Sequence, residues 1–231
     1  MSEEIKRHRL DAAPAAVLAL LPEMDRLMVI VRSGGSLHER IGPVERVVRE
    51  RDLLRIEGVC HDSEIRLPLI KAVDFDTSSV MKDKVYPRLD FLGSGGEVLF
   101  SVTGMEGEAP FAAALAAFPR LPSLRPEHPG TPAGPAAAEE GDAGGAFLEE
   151  LTGKGEAAIR FETAAITQQW TGPVETIRPM SGYFNIITSH FHLHLQAGSV
   201  SGWREADGWQ HALGAGGEAG ALAIRHPAAA A

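Results

Sequence analysis

Residues Gly172–Leu195, GPVETIRPMSGYFNIITSHFHLHL, decide how the rest of the chain reads. The stretch opens on Gly-Pro-Val-Glu and closes on an alternation in which His190, His192 and His194 take every second position. On a strand, residues i, i+2 and i+4 share a face. The three histidines are therefore expected on one face, with Phe191, Leu193 and Leu195 on the other, pointing into a core. The same opening occurs earlier. Gly42–Leu69 reads GPVERVVRERDLLRIEGVCHDSEIRLPL and closes on Leu67 and Leu69. An apolar alternating stretch precedes each copy, LMVIVRSGGSLHERI at Leu27–Ile41 and AAIRFETAAITQQWT at Ala157–Thr171. Each half then ends on a strand, a glycine turn and a strand, RLDFLGSGGEVLFSV at Arg88–Val102 and WQHALGAGGEAGALAI at Trp209–Ile224. The same elements in the same order are an internal duplication.

Short apolar–polar alternations bounded by Gly, Pro and Asp are a β pattern, and GSGGE and GAGGE supply the positive φ angles that hairpin turns demand. Helical signals are confined to Ala12–Leu21 with Asp11 as a cap, to APFAAALAAF, and to GAFLEELTGKG with glycine stopping it. The expected fold is mainly β with a few peripheral helices (α+β). It has two repeated antiparallel sheets stacked on each other, about seven or eight strands each. The segment Leu121–Gly145, rich in Pro, Gly and Ala, cannot bury enough to order itself and reads as a linker. The expected organisation is a first repeat over 1–120, a linker over 121–145 and a second repeat over 146–231. His128 falls in the linker and is discounted as a ligand.

The 231 residues, 44% hydrophobic, suffice for one large or two small cores. A formal net charge of −9 gives no counterion-release affinity for nucleic acid and no attraction to an anionic membrane surface. The single cysteine, Cys60, excludes an internal disulfide framework and reads as a small buried residue. No apolar run approaches the length of a membrane span, and the N-terminal stretch lacks a signal-peptide cleavage pattern, so a cytoplasmic protein is expected.

Three alternating histidines admit several readings. One is a solvated sheet face. A second is a zinc or iron site, since His-X-His on a strand is a recurrent ligand pair. The residues after His194 offer Gln196 and no acid, so no dedicated metal site is assigned. A third is haem, for which one imidazole can be the axial ligand. Tyr183, Phe184, Met180 and Trp203 lie nearby in sequence, as do Arg178 and Arg204. Elsewhere no nucleophile elbow or Walker motif occurs. Arg46, Arg49 and Arg51 read as a solvated strand face, Asp74 and Asp76 as flanking a loop, and His38, Glu39 and Arg40 as a strand end.

The stretch WTGPVETIRPMSGYFNIITSHFHLHLQAGSVSGW resembles the C-terminal repeat of the HemS/ChuX haem-utilisation family: T-G-P-V-E, a spacer, G-P-W-F-N, then F-N-L-H-L and a tryptophan. Thr171–Glu175, then Gly182, Phe184 and Asn185, then Phe191, Leu193, His194 and Leu195, and finally Trp203 carry the match, with Tyr183 roughly where tryptophan stands. In the first half, VIVRSGGSLHERIGPVE resembles the family's arginine-turn-H-E-K-G strand pair, EIRL its D-L-R-L, and RLDFLGSGGEVLFSV its hairpin. The resemblance implies two similar stacked antiparallel sheets and a cytosolic haem-handling role in iron acquisition and transport, as carrier or degrader. It departs in two places. The family's helical insertion with its T-H-x-F-F histidine has no equivalent here, so the usual proximal ligand is absent. Arg88 lies one residue from the family's distal arginine, which on a strand means the opposite face.

The expectation is thus a protein that binds haem or a related tetrapyrrole. His190, His192 or His194 would be the axial ligand, Tyr183 would stand alongside, and Arg88, Arg178 or Arg204 would meet propionates. A haem oxygenase or reductase partner and a homodimer are compatible with it; nucleic acid and membrane insertion are not expected. The alternatives are a haem-independent interaction module that kept the fold, and a His-rich metal-binding protein.

Overall fold

The computed structural model describes residues 6–123 and 141–226. The first repeat supplies β1 (Arg7–Leu10), β2 (Arg26–Ser33), β3 (Ser36–Pro43), β4 (Arg46–Glu50), β5 (Leu53–Gly58), β6 (His61–Arg66), β7 (Ala72–Asp76), β8 (Val80–Met81), β9 (Lys84–Val85), β10 (Arg88–Leu92), β11 (Val98–Gly104) and β12 (Arg120–Pro122). The second supplies β13 (Glu156–Glu162), β14 (Ile166–Pro173), β15 (Arg178–Met180), β16 (Tyr183–Ile187), β17 (Phe191–Gln196), β18 (Gly202–Ala206), β19 (Trp209–Leu213) and β20 (Ala219–Arg225). Apart from the small β8–β9 pair, the strands form two large antiparallel sheets of ten and eight strands.

The duplication is visible in the strand order. The run β7-β10-β11-β2-β3 of the first repeat has its counterpart in β18-β19-β20-β13-β14 of the second. The meanders β4–β6 and β15–β17 correspond likewise. Each repeat does not keep to a sheet of its own. It places its meander in one sheet and its other strands in the other: β4–β6 lie in the eight-stranded sheet, β15–β17 in the ten-stranded one. The repeated Gly-Pro-Val-Glu marks the point of departure. β3 ends at Pro43 and β14 at Pro173, because proline has no N–H to extend a ladder. Val44 and Val174 that follow are buried and pin the exit. Gly42 sits at φ +154°, and a Cβ there would come within 2.3 Å of the Cys60 side chain, so only glycine fits. Cys60 is buried, as expected of it.

Both glycine hairpins form the same turn. Gly93 N–H donates to Glu97 O, and Gly214 N–H to Glu218 O, each at 2.9 Å. The helices are shorter than the composition suggests: α1 (Pro14–Leu18), α2 (Ala109–Ala114) and α3 (Ala143–Glu150). Asp11 does not cap α1; the N-cap is Ala13, with Pro14 at the first helical position. Asp142 caps α3 by accepting from Gly145 N–H, so this helix begins inside the segment read as linker, of which 124–140, with His128, lie outside the described residues. Leu67–Leu69 is a 3-10 turn rather than a strand, with Pro68 breaking the alternation.

Two compact units result. One comprises most of the first repeat together with Ala164–Ile166; the other comprises the second repeat together with Arg32–Glu39. In the first unit Phe91 stacks on Phe100 at 4.5 Å, inside a core that includes Leu89, Val102 and Phe75. On the same strands lies a buried row of acids. Asp74 and Asp76 do not flank a loop: they stand on β7, and with Asp90 on β10 they are almost fully buried. Arg7 pairs with Asp76 at 2.6 Å, Arg9 with Asp74, and Arg88 with Asp90 at 3.0 Å and Asp76 at 3.2 Å. Burial alone would push the Asp76 carboxyl up, but the Ser78 hydroxyl and N–H and the Arg7 guanidinium outweigh it and hold it down.

Candidate functional site

β17 carries out the predicted division of faces. Phe191, Leu193 and Leu195 are fully buried, with Trp170 stacked on Phe191 at 4.4 Å, while His192 and His194 remain part-exposed on the opposite face. The strand begins at Phe191, however. His190 lies in the bend before it, exposed, with Nδ1 2.9 Å from Ser189 Oγ. The expected row of three is therefore a pair and a separate residue, because the ladder starts one residue too late to carry the first.

The pair meets an acid from a distant part of the chain. Arg32–Glu39 folds into the second unit, and this brings Glu39 Oε2 within 3.2 Å of His192 Nδ1 and 3.5 Å of His194 Nε2. The other nitrogen of His194 is fixed by Asn185, its directly paired neighbour on β16. Asn185 Nδ2 donates to Arg178 O at 2.7 Å and Tyr183 O at 3.0 Å. Its Oδ1 is thus the atom facing His194 Nδ1, at 2.5 Å, and the imidazole must donate there. Burial would push the Glu39 carboxyl up, yet the hydrogen bonds and charges of His192 and His194 prevail and hold it at about 2. Glu39 could not be found from local sequence, since it stands 153 residues from His192. The only available signal was its position beside His38, which is itself buried and bonded through Nδ1 to Gln168 Oε1 at 2.7 Å.

His190 belongs to a cleft of about 460 Å³. Its walls include Trp170, Ile186 and Ile187, and Arg178 shares it, as do the acids Glu156 and Glu175. A second cleft of about 390 Å³, lined by the Gly34–Gly35 turn and the Gly198–Val200 segment, has no histidine or arginine in its wall. Of the remaining residues expected at a site, Tyr183 presents an edge to the His194 ring at 6.4 Å. Arg204 is exposed on β18 opposite His211. Arg88 lies in the first unit, engaged by Asp76 and Asp90. None of the three lines the His190 cleft. Trp203 does structural work, stacking on Phe147 at 4.0 Å and donating from Nε1 to Ala143 O.

Among the described residues, no helix is long and apolar enough to cross a membrane. No protein-family model matches the sequence, and no curated protein matches it. Solved structures do. ChuS, described as an E. coli heme oxygenase, superposes with a TM-score of 0.74 at 15% identity, over 96% of this chain and 84% of its own. PhuS, described as a heme-binding protein from Pseudomonas aeruginosa, superposes in its holo form with a TM-score of 0.73 at 16% identity, over 98% of this chain and 83% of its own. Its apo form gives 0.71 at 17% identity, over 97% and 82%. Over nearly its whole length, this chain has the fold of ChuS and PhuS, the architecture that its duplicated Gly-Pro-Val-Glu segments resemble.

Proposed function

We propose that the protein binds haem, or a closely related tetrapyrrole, in the cleft shared by His190 and Arg178, and that it serves as a cytoplasmic haem carrier. The observation that carries this reading is the convergence of an exposed imidazole, a guanidinium and an apolar wall of Trp170, Ile186 and Ile187 on one cleft of about 460 Å³. An imidazole that engages Ser189 through Nδ1 keeps Nε2 as the atom able to ligate iron. Arg178 offers a planar fork suited to a propionate carboxylate. Glu156 and Glu175 on the same wall repel carboxylates and so favour their placement at Arg178. The fold shared with ChuS and PhuS, described as heme-handling proteins, supports the ligand class. In this reading the two repeats, 1–120 and 146–231, are joined by the linker 121–145, and the second repeat holds the ligand.

Haem supplies an iron centre with redox chemistry of its own; the residues of this chain bind and orient it. Titration of the protein with haem is expected to give a saturable, one-to-one Soret shift. His190→Ala is expected to weaken it at least about 10-fold, the loss of one coordinate bond being worth more than 1.4 kcal/mol. Binding that is equally tight in His190→Ala and Arg178→Ala overturns the assignment of the cleft. The likeness to ChuS also favours a degrading reading, with electrons from a partner reductase. Consumption of bound haem on adding ascorbate would establish that reading in place of the carrier.

A further inference from the structure

The Glu39–His192–His194 cluster lies outside the haem cleft, since none of its three residues lines that wall. Its hydrogen-bond arithmetic leaves one atom to be explained. Asn185 is held by two backbone carbonyls, so its Oδ1 accepts from His194 Nδ1–H. In a neutral imidazole the other nitrogen then carries a lone pair. That lone pair, on His194 Nε2, faces the Glu39 carboxylate at 3.5 Å. Two acceptors that face each other in a part-buried site require a cation between them, either a proton or a metal ion. Glu39 Oε2 also receives His192 Nδ1 at 3.2 Å. One atom of each of the three side chains lies within 4.8 Å of the others.

We propose that Glu39, His192 and His194 form a binding site for one divalent first-row transition ion. The two separations from Glu39 fit. With metal–ligand bonds of about 2.1 Å, a tetrahedron has edges of about 3.4 Å, between the 3.2 and 3.5 Å found from Glu39 to the two imidazoles. Two imidazoles and one carboxylate suit Zn(II), Co(II) or Fe(II) and leave at least one position for water. The Asn185 bond to His194 is the outer support that metal-bound histidines require, fixing tautomer and ring plane. The strands supply rigidity: His194 and Asn185 are directly paired across β16 and β17, and the two ligand histidines share one face of β17.

The test is titration of chelator-treated full-length protein with Co(II), read by its visible d–d absorption, followed by displacement with Zn(II). One Co(II) per chain is expected, with the intense bands of a low-coordinate site, displaced stoichiometrically by Zn(II). His192→Asn, at a part-exposed position, should weaken binding at least about 100-fold, and Asn185→Ala about 10-fold by freeing the His194 ring. His190→Ala should leave it unchanged, which separates this site from the haem cleft whatever the fate of that reading. Circular dichroism on each variant identifies any that fail to fold, and His192→Asn decides if Glu39→Gln or His194→Ala does. Absence of one-to-one Co(II) binding overturns the proposal, as does equal affinity in His192→Asn. So does a ¹⁵N spectrum in which His194 keeps protons on both nitrogens while Co(II) is present.

Discussion

Two carboxylate clusters sit on the sheets of this protein, and they are balanced by different cations. In the first unit Asp74, Asp76 and Asp90 face Arg7, Arg9 and Arg88. In the second, Glu39 faces His192 and His194. Arginine is charged at every accessible pH and gives up no proton, so the first cluster is closed and its role is to hold strands together. Imidazole can be neutral, can be protonated and can ligate a metal, so the second cluster can exchange its cation. Both arise from the same strand periodicity, since β7 puts Asp74 and Asp76 at alternate positions as β17 does His192 and His194. The partner, not the pattern, makes one a fastening and the other a candidate site.

The largest effect should come from opening the closed cluster. Asp76→Ala leaves Arg7 and Arg88 without their shared carboxylate, and a loss of about 3–5 kcal/mol is expected in urea denaturation. A loss under about 1 kcal/mol would mean that the cluster is not the fastening described. Next come the acid-range transitions. His61 is almost fully buried, with Nε2 on Gly42 O at 2.9 Å and, among the described residues, no carboxylate bonded to it. Burial, and secondarily the Arg40 charge, outweigh that bond and push it from 6.5 down to about 4. The unfolded chain therefore takes up this proton first. Stability is full above pH 6.5 and falls as pH drops to 4, by about 3 kcal/mol from this group. His61→Gln should flatten that window in denaturation measured across pH.

Glu39 has a depressed folded value, so its contribution is present above about 4.5 and lost as pH falls toward 2. Glu39→Gln should remove roughly 2–3 kcal/mol of dependence from that lower window and leave the His61 window intact. Coincident loss of both windows in either variant would show that the two groups are not independent. The smallest change should follow Arg46→Ala on β4, whose partner Glu57 is also solvent-accessible. Less than about 1 kcal/mol, vanishing in high salt, is expected for such a surface pair.

Most of the fold was legible. The repeated Gly-Pro-Val-Glu, the two glycine hairpins and the alternation over Phe191–Leu195 each report a local constraint, and each took the expected form. The exceptions are also local. Pro68 breaks the alternation of Leu67 and Leu69, and α1 starts at Pro14 with Ala13, not Asp11, at its N-cap. The site was legible in part. His192 and His194 were readable as sharing a face, and Arg178 and His190 as neighbours of a haem-like patch. Their separation into a metal-like pair and a cleft residue was not, because it depends on where the β17 ladder begins.

By itself, the sequence determined the β class, the duplication and the face that His192 and His194 share. These follow from backbone sterics and a two-residue period, both properties of neighbouring residues. Only the tertiary structure decided that each repeat divides its strands between two sheets, that Asp76 meets arginine, and that Glu39 meets two imidazoles. Those outcomes depend on which strands pair across long stretches of chain. Local preference carries no information about that choice, because the side-chain period is the same whatever strand lies alongside.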